Sequence, residues 1–260
     1  MIKVGIIIYC SLGIALFYLQ EKFLLHPLVL PGNFKYSFKE PFTEFNIPIN
    51  TTDTLNMVKF FPDSSTKKGI VLYFHGNAEN INHYGGFAGN FTKRGYEVWM
   101  PDYPGFGKST GVLSEKKLYE QAALIYALAL HSVSAEKIII YGKSFGTGIA
   151  SQLASQHKCR SLVLETPYYS IPALFSIYAP IYPARAMCKF KMPVAEYLKK
   201  VKDPVVIFHG TEDGVIPFHS SYSLLPLLKA SDKYIGIKDG KHNNLADFAL
   251  YQQELDTILR

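Results

Sequence analysis

The stretch of sequence that decides the fold is KIIIYGKSFGTGI, residues 137–149. A run of β-branched residues leads into GKSFG, and a helical pattern follows at once. A strand, a sharp turn with a serine between two glycines, and a helix together form a nucleophile elbow. The strained turn lifts the hydroxyl of Ser144 out of the backbone, and side chains in place of the glycines would collide with the neighbouring strand or helix. The pattern therefore predicts a nucleophile at Ser144, whereas the alternative is a turn with an N-capping serine.

Two segments further along the chain supply the other groups that a nucleophilic serine needs. Residues 204–217, PVVIFHGTEDGVIP, predict a strand that opens into a loop carrying Asp213. Residues 234–245, YIGIKDGKHNNL, predict a last strand and a loop that presents His242 before the final helix. We expect His242 to act as general base and Asp213 to orient it. The alternatives are an Asx turn at Asp213 and an exposed loop histidine.

Two backbone N–H groups are expected to stabilise the negative oxygen that forms when the serine attacks. The first is the N–H of Phe145, directly after the nucleophile, at the positive end of a helix. The second is the N–H of Asn77, in the loop HGNAEN that follows the predicted strand at 70–74. In this loop we expect His75 to brace the backbone. Glu165, at the end of another predicted strand, is a reserve candidate for the acid.

The rest of the chain alternates short apolar runs with longer helical patterns. Unbroken β-rich runs of this kind indicate strands buried on both faces of a mostly parallel sheet. These runs are residues 70–74, 97–100, 137–141, 161–164, 205–208 and 233–237, and two earlier stretches, 45–49 and 55–61, predict an antiparallel edge. The predicted helices are residues 114–131, 146–156, 220–229 and 245–259. The pattern is typical of a three-layer α/β sandwich with helices on both faces.

The N-terminus contains an uncharged run, VGIIIYCSLGIALFYL at residues 4–19, between Lys3 and Glu21. This run predicts a single-pass membrane anchor at residues 1–22. A cleaved signal peptide, lipid attachment at Cys10 and a helix that docks on the body of the protein are the alternatives. Prolines interrupt residues 23–40, which are expected to be a linker or a surface crossing. The catalytic domain is then expected at residues 41–260.

Composition excludes several other classes of protein. With 48% apolar and 18% charged residues, the 260-residue chain has the make-up of an ordinary globular domain. The net charge of +6 comes from scattered lysines and arginines, so no nucleic-acid partner is expected. The three cysteines show no C-x-x-C spacing and no histidine partner. Neither a disulfide framework nor a metal site is therefore predicted.

The motifs FLLHPLVLP, FHGNAEN, PDYPGFGKSTG, YGKSFGTG, HGTEDGVIP and GKHNN occur in this order along the chain. In these motifs the chain resembles the α/β-hydrolase superfamily, in particular its small abhydrolase-domain serine hydrolases with an N-terminal anchor. The resemblance implies a three-layer α/β-hydrolase fold with a lid insertion at about residues 167–193. It also implies a structural role for Asp102. The family often has consecutive glycines before the final histidine, whereas here Lys241 precedes it.

The resemblance also implies a reaction. A serine hydrolase of this kind cleaves a carboxylic ester or a thioester, including lipid and lysolipid esters, and needs no cofactor. The aromatic and proline-rich lid is expected to form one wall of an apolar acyl pocket, although a packing insertion is the alternative. A serine peptidase of the prolyl-oligopeptidase-like type is a second interpretation. A binding protein that keeps the fold without turnover is a third.

Overall fold

The computed structural model describes residues 2–62 and 67–260. Within these ranges the main sheet has eight strands in the order β8-β7-β6-β5-β3-β4-β2-β1. They are β1 (Phe42–Pro48), β2 (Thr54–Phe60), β3 (Gly69–Phe74), β4 (Tyr96–Pro101), β5 (Ile138–Lys143), β6 (Ser161–Glu165), β7 (Val205–Gly210) and β8 (Lys233–Ile237). Strand β2 runs antiparallel to β1 and β4, and the other neighbouring pairs are parallel. The predicted parallel sheet with an antiparallel edge is confirmed.

The central strands are buried along their whole length, as their apolar runs predict. Every residue of β3, β5, β6 and β7 is buried. Because successive side chains of a strand point to opposite faces, Ile138 and Ile140 enter one core while Ile139 and Tyr141 enter the other. Each face of the sheet thus has its own hydrophobic layer, covered by helices, and the molecule has three layers.

The helices follow the predicted segments in part. They are α1 (Ile2–Leu24), α2 (Ile81–Tyr84), α3 (Gly89–Thr92), α4 (Glu115–Leu130), α5 (Gly146–Gln156), α6 (Ile171–Tyr178), α7 (Ala184–Met187), α8 (Val194–Leu198), α9 (Phe218–Tyr222) and α10 (Ala249–Ile258). Short 3-10 turns lie at Gly85–Phe87, Ala135–Lys137, Leu225–Leu227 and Leu245–Asp247. Helix α5 has the predicted bounds. Ser114 is the N-cap of α4, because its hydroxyl accepts a hydrogen bond from the N–H of Lys117.

One predicted helix is wrong. Residues 220–229 do not form a continuous helix, because α9 ends at Tyr222 and only the 3-10 turn Leu225–Leu227 follows. Pro226 lies in this turn, and a proline inside a helix removes one hydrogen bond and clashes with the preceding turn. The last predicted helix is likewise divided, since Phe248 has extended backbone angles between the 3-10 turn Leu245–Asp247 and α10.

The segment after α1 crosses the surface of the α/β body. His26 and Pro27 pair in parallel with Ala78 and Glu79. Further on, Tyr36 is buried and its hydroxyl donates a hydrogen bond to the side chain of Asn56. The pairing at His26 and Pro27 connects the C-terminal end of α1 to the loop that follows β3, which is the loop predicted to supply an oxyanion donor, whereas Tyr36 connects the segment to β2.

Candidate active site

The turn between β5 and α5 places Ser144 in the left-handed region of backbone conformation, with φ of 52°. The glycines on either side are a steric requirement. A Cβ added at Gly146 would lie 2.1 Å from the carbonyl oxygen of Phe74, and one added at Gly142 would lie 2.6 Å from the carbonyl oxygen of Gly146. These distances are far below van der Waals contact. The predicted collision with the neighbouring strand and helix is confirmed, and the strained serine projects at the carboxyl edge of the sheet.

Ser144, His242 and Asp213 form one chain of hydrogen bonds. The Nε2 atom of His242 lies 3.0 Å from the hydroxyl of Ser144, and its Nδ1 atom lies 2.8 Å from Oδ2 of Asp213. All three residues are buried. A carboxylate can only accept, so the proton of a neutral imidazole sits on Nδ1 and leaves Nε2 free to accept from the serine hydroxyl. This is the arrangement in which a histidine can activate a serine.

Asp213 is held as a carboxylate by its surroundings. Burial alone would raise its pKa, but hydrogen bonds from His209 and His242, the charge of His242 and a backbone N–H outweigh burial and hold the pKa well below its usual range. The N–H groups of Val215 and Ile216 donate to Oδ1, both at 2.8 Å. These two bonds form an Asx turn, so Asp213 fulfils its alternative local role and also contacts His242.

His209 is a second histidine beside Asp213, and no role was predicted for it from the sequence. It lies at the end of β7 and is completely buried. Its Nε2 atom is 2.9 Å from the carbonyl oxygen of Ile216 and 3.3 Å from Oδ2 of Asp213. Because both neighbours are acceptors, Nε2 carries a proton. The signal in the sequence was its position at the end of a buried strand, four residues before the acid.

The two predicted oxyanion donors lie on either side of the nucleophile. In the described part of the chain, the N–H groups of Phe145 and Asn77 donate to no protein acceptor. A Cβ added at Gly76 would lie 3.7 Å from Cβ of Ser144, so this loop runs directly beside the serine. The side chain of Asn77 donates to the carbonyl oxygen of Leu24, and its own carbonyl accepts from the N–H of His26. The end of α1 therefore holds the loop in place.

His75 and Asp102 are two buried side chains that brace this loop. His75 is completely buried, and its ring stacks on Tyr84 with the ring centroids 4.9 Å apart. Its Nε2 atom lies 3.3 Å from Oδ1 of Asp102, which also accepts a hydrogen bond from the N–H of Ile81. Both side chains are thus engaged in bracing the backbone on the side away from the serine.

Lys143 and Glu165 form a buried ion pair below the elbow. Lys143 is only 1% exposed and also donates to the backbone carbonyl of His242 at 3.1 Å. The other carboxylate oxygen of Glu165 accepts from the hydroxyl of Tyr141, whose oxygen lies 2.8 Å from the hydroxyl oxygen of Tyr251. Burial and the nearby carboxylate raise the pKa of Tyr141 well above its ordinary value, so its hydroxyl remains a donor.

This network corrects one assignment and adds one residue to the site. Glu165, the reserve acid, is bonded to Lys143 and Tyr141 and not to His242, because β6 places its carboxylate beneath the elbow. Lys143 was not predicted to have a role. The available signal was a charged residue between a buried strand and the nucleophile, a position where burial requires a partner.

The predicted lid, residues 167–193, contains α6 and α7 and folds over the turn. The hydroxyl of Tyr168 donates to the carbonyl oxygen of Phe145 at 3.1 Å, and the ring centroid of Phe190 lies 6.0 Å from that of Phe145. Ser144 is only 5% exposed. The insertion therefore packs on the residue that carries an expected oxyanion donor.

Several known proteins are similar to this chain in sequence. The family model described as "Serine aminopeptidase, S33" matches residues 65–185. The alpha/beta hydrolase domain-containing protein 17C of Xenopus tropicalis is 32% identical over 194 residues, which cover 73% of this chain and 61% of that protein. The 17B protein of the same organism is 30% identical over 200 residues, 75% of this chain and 66% of that protein. The chain thus matches about 60% of the length of these relatives.

Solved structures share the fold at lower sequence identity. An esterase of Pyrococcus furiosus superposes with a TM-score of 0.68 at 17% identity and covers 91% of this chain and 97% of its own. A monoacylglycerol lipase of Paleococcus ferrophilus gives a TM-score of 0.60 at 19% identity, covering 79% of this chain and 98% of its own. Together with the sheet order, the glycine-flanked serine at the elbow and the relatives by sequence, these likenesses show that the chain belongs to the α/β-hydrolase superfamily.

Proposed function

We propose that this protein is a serine hydrolase that cleaves a carboxylic ester or a thioester through an acyl-enzyme on Ser144. The observation that carries the proposal is the hydrogen-bonded chain from Ser144 through His242 to Asp213. A buried serine in a strained turn, bonded to a histidine that a carboxylate orients, is the arrangement that nucleophilic catalysis requires.

In the proposed mechanism, Nε2 of His242 takes the proton of the Ser144 hydroxyl as the oxygen attacks the acyl carbon. The N–H groups of Phe145 and Asn77 stabilise the negative oxygen of the tetrahedral intermediate. His242 then passes the proton to the leaving group, and the acyl group remains on the serine. A water molecule, activated by the same histidine, hydrolyses the acyl-enzyme and restores the free hydroxyl.

The lid favours an ester with an apolar acyl group. Residues 166–184, between Glu165 and Arg185, contain no Asp, Glu, Lys or Arg. This uncharged part of the lid suits a hydrocarbon chain and disfavours the charged terminus that an aminopeptidase has to bind. Two solved structures that share the fold are named an esterase and a monoacylglycerol lipase. Both names denote hydrolysis of an ester, and this supports an ester as the substrate of this protein. Lipid and lysolipid esters are the candidates that we favour.

A peptidase is the second candidate function, because the matching family model is described as a serine aminopeptidase. Both activities use the same three residues, so only the substrate separates them. We expect purified protein to hydrolyse p-nitrophenyl acyl esters faster than aminoacyl anilides. The reverse preference would establish the peptidase.

Covalent labelling tests the nucleophile directly. A fluorophosphonate probe should label the wild-type protein, and the Ser144→Ala variant should remain unlabelled. Ser155→Ala is the control, because Ser155 lies on α5, the helix that follows the nucleophile, and in the described structure its hydroxyl donates only to the carbonyl oxygen of Gln152. Folded wild-type protein that does not react with the probe would rule out the proposal.

We also propose that α1 anchors the chain in a membrane as a single-pass helix. An 18-residue stretch of the helix Ile2–Leu24 has a mean hydropathy of 2.1, and none of the helix residues is buried. Twenty-three residues span about 35 Å, enough to cross a hydrocarbon core of about 30 Å. A signal sequence has a similar composition, so cleavage at this site is the competing interpretation.

A further inference from the structure

Helix α1 does not project freely from the body but lies against the lid. The rings of Tyr9 and Tyr182 are stacked with centroids 4.8 Å apart. The hydroxyl of Tyr182 donates to the carbonyl oxygen of Tyr9 at 3.0 Å, and the hydroxyl of Tyr9 donates to the carbonyl oxygen of Ile181 at 3.1 Å. Nearer the C-terminal end, Gln20 donates to the carbonyl of Met187 and accepts from the N–H of Lys189.

These contacts follow one face of α1. Gly13 lies one turn after Tyr9, and a Cβ added there would be 3.0 Å from the Tyr182 ring, so the glycine allows the ring to approach. From Tyr9 to Gln20 the contact face runs about 16 Å along the helix. Only residues 2–8 extend beyond the lid. The opposite face of α1 carries exposed side chains such as Ile14 and Tyr18.

The part of the lid beside α1 has the properties of a segment that tolerates hydrocarbon. Its tip, residues 177–182, exposes Ile177, Tyr178 and Ile181, the last two at 63% and 68%. The tip contains no charge, and the prolines at 180 and 183 have no N–H to satisfy. The N–H groups of Ala179 and Tyr182 donate within the lid and the carbonyl oxygen of Ile181 accepts from Tyr9, whereas the N–H of Ile181 has no acceptor among the described residues. Backbone polar groups that enter a bilayer must be satisfied by the protein itself.

We propose that the lid tip enters the membrane together with α1, so that the partner of this surface is the hydrocarbon of one leaflet. The inference rests on the proposed membrane anchor. Because contacts with the lid run along one face of α1 from Tyr9 to Glu21, the helix cannot enter a bilayer in this arrangement without the tip. The ion pair between Lys189 and Glu21 lies at the end of the α1–lid contact that is farther from the tip. These two charges mark where the part of this contact that enters the membrane ends.

This arrangement has a consequence for the substrate. The lid that carries the tip also packs on Phe145, the residue directly after Ser144, so a lid tip in the leaflet brings the nucleophile to the membrane side of the body. The expected substrate class is an ester or a thioester whose acyl chain resides in the bilayer.

The depth of single side chains in a bilayer tests the inference. The experiment uses four variants of the full-length protein, all with Cys10→Ser. Each variant has one new cysteine, which replaces Ile181, Ile177, Ile7 or Leu130. The new cysteine is labelled with an environment-sensitive nitrobenzoxadiazole dye. The two remaining cysteines, Cys159 and Cys188, are buried. Each protein is reconstituted in phosphatidylcholine vesicles with or without brominated acyl chains. Leu130 is the matched control, because it is exposed at the C-terminal end of α4, at the edge of the sheet opposite Ser144.

We expect brominated lipid to quench the dyes at Ile181, Ile177 and Ile7 by about twofold or more and to leave the dye at Leu130 unchanged. Quenching at Ile7 without quenching at Ile181 and Ile177 would overturn the lid inference and leave the anchor standing. No quenching at any position would overturn both the anchor and the inference. Fluorophosphonate labelling of Ser144 in each variant reports folding, and it tests the proposed hydrolase independently of the membrane.

Discussion

At the scale of single residues, the site depends on where one proton sits on His242. Asp213 accepts from Nδ1, which makes Nε2 the acceptor that faces Ser144. Asp213 itself is oriented by backbone N–H groups on one oxygen and by His209 beside the other. The position of this proton therefore follows from several hydrogen bonds that converge on a single carboxylate.

Replacing this carboxylate by an amide tests its role. In Asp213→Asn the amide nitrogen can donate to Nδ1 and stabilise the wrong tautomer, so we expect kcat for ester hydrolysis to fall by about 10³–10⁴-fold. Glu212→Gln is the control, because Glu212 is the exposed carboxylate next in sequence and should keep near wild-type kcat. Steady-state rates with a p-nitrophenyl ester measure both. A loss of less than tenfold would show that Asp213 does not orient the base.

The low pKa of Asp213 also predicts how stability depends on pH. A carboxyl group whose pKa is lower in the folded than in the unfolded state stabilises the fold above the unfolded value, about 4, and this contribution disappears as pH falls towards the folded value. The midpoint of urea unfolding should thus fall more between pH 5 and pH 3 in the wild type than in Asp213→Asn. Equal decreases in the two proteins would contradict a lowered pKa of Asp213 in the folded state.

The buried pair of Lys143 and Glu165 should be sensitive to removal of one partner. Lys143→Met leaves a buried carboxylate without its cation and should lower the free energy of unfolding by about 3–5 kcal/mol. The double variant Lys143→Met/Glu165→Leu removes both charges and should recover most of this loss. Urea unfolding measures both variants. If the double variant is no more stable than the single one, the ion pair is not what stabilises this region.

At the scale of elements, the junction of β5 and α5 decides the geometry of the site. The strand and the helix are predicted by their local patterns, and both have close to the expected bounds. The elbow works because the carbonyl end of β3 passes directly beside Gly146. Its requirement for glycine is therefore a contact between elements that are distant in the sequence.

Substitution of this glycine tests the contact. Gly146→Ala places a methyl group against the Phe74 carbonyl oxygen and should lower the free energy of unfolding by at least about 1–3 kcal/mol. Gly86→Ala is the matched control, because a Cβ at Gly86 meets nothing within 4 Å, and its effect should stay within about 0.5 kcal/mol. Thermal unfolding followed by circular dichroism gives the comparison. Similar losses for the two variants would contradict the steric explanation.

At the scale of the whole molecule, α1 and the α/β body are expected to behave as one membrane-bound unit. Because α1 is long enough to cross the hydrocarbon core, the full-length protein should sediment with membranes, resist extraction by alkaline carbonate and dissolve only in detergent. Protease digestion of sealed vesicles should then cut or spare the whole catalytic body, according to its side of the membrane. Release by carbonate, or a mature chain without residues 2–24, would contradict the anchor.

Much of the fold could be predicted because short stretches of the sequence indicate its strands, turns and helices. The buried strands show as runs of β-branched residues, the elbow as G-x-S-x-G, and Asp213 and His242 as residues in loops after strands. The helix predicted at 220–229 was wrong although Pro226 is visible in the sequence, because a proline can also occupy the first turn of a helix and the backbone geometry decides which of the two applies.

By itself, the sequence determined the layered architecture, the candidate nucleophile, its base and acid, and the apolar N-terminal helix, since each depends on neighbouring residues. Only the tertiary structure decided that Glu165 neutralises Lys143 instead of orienting His242, that His209 lies beside Asp213, and that α1 is bonded to the lid. Each of these is a contact between strands, loops or helices that the fold brings together. The direction of a buried side chain depends on the packing of its neighbours, and no local period of the sequence records it.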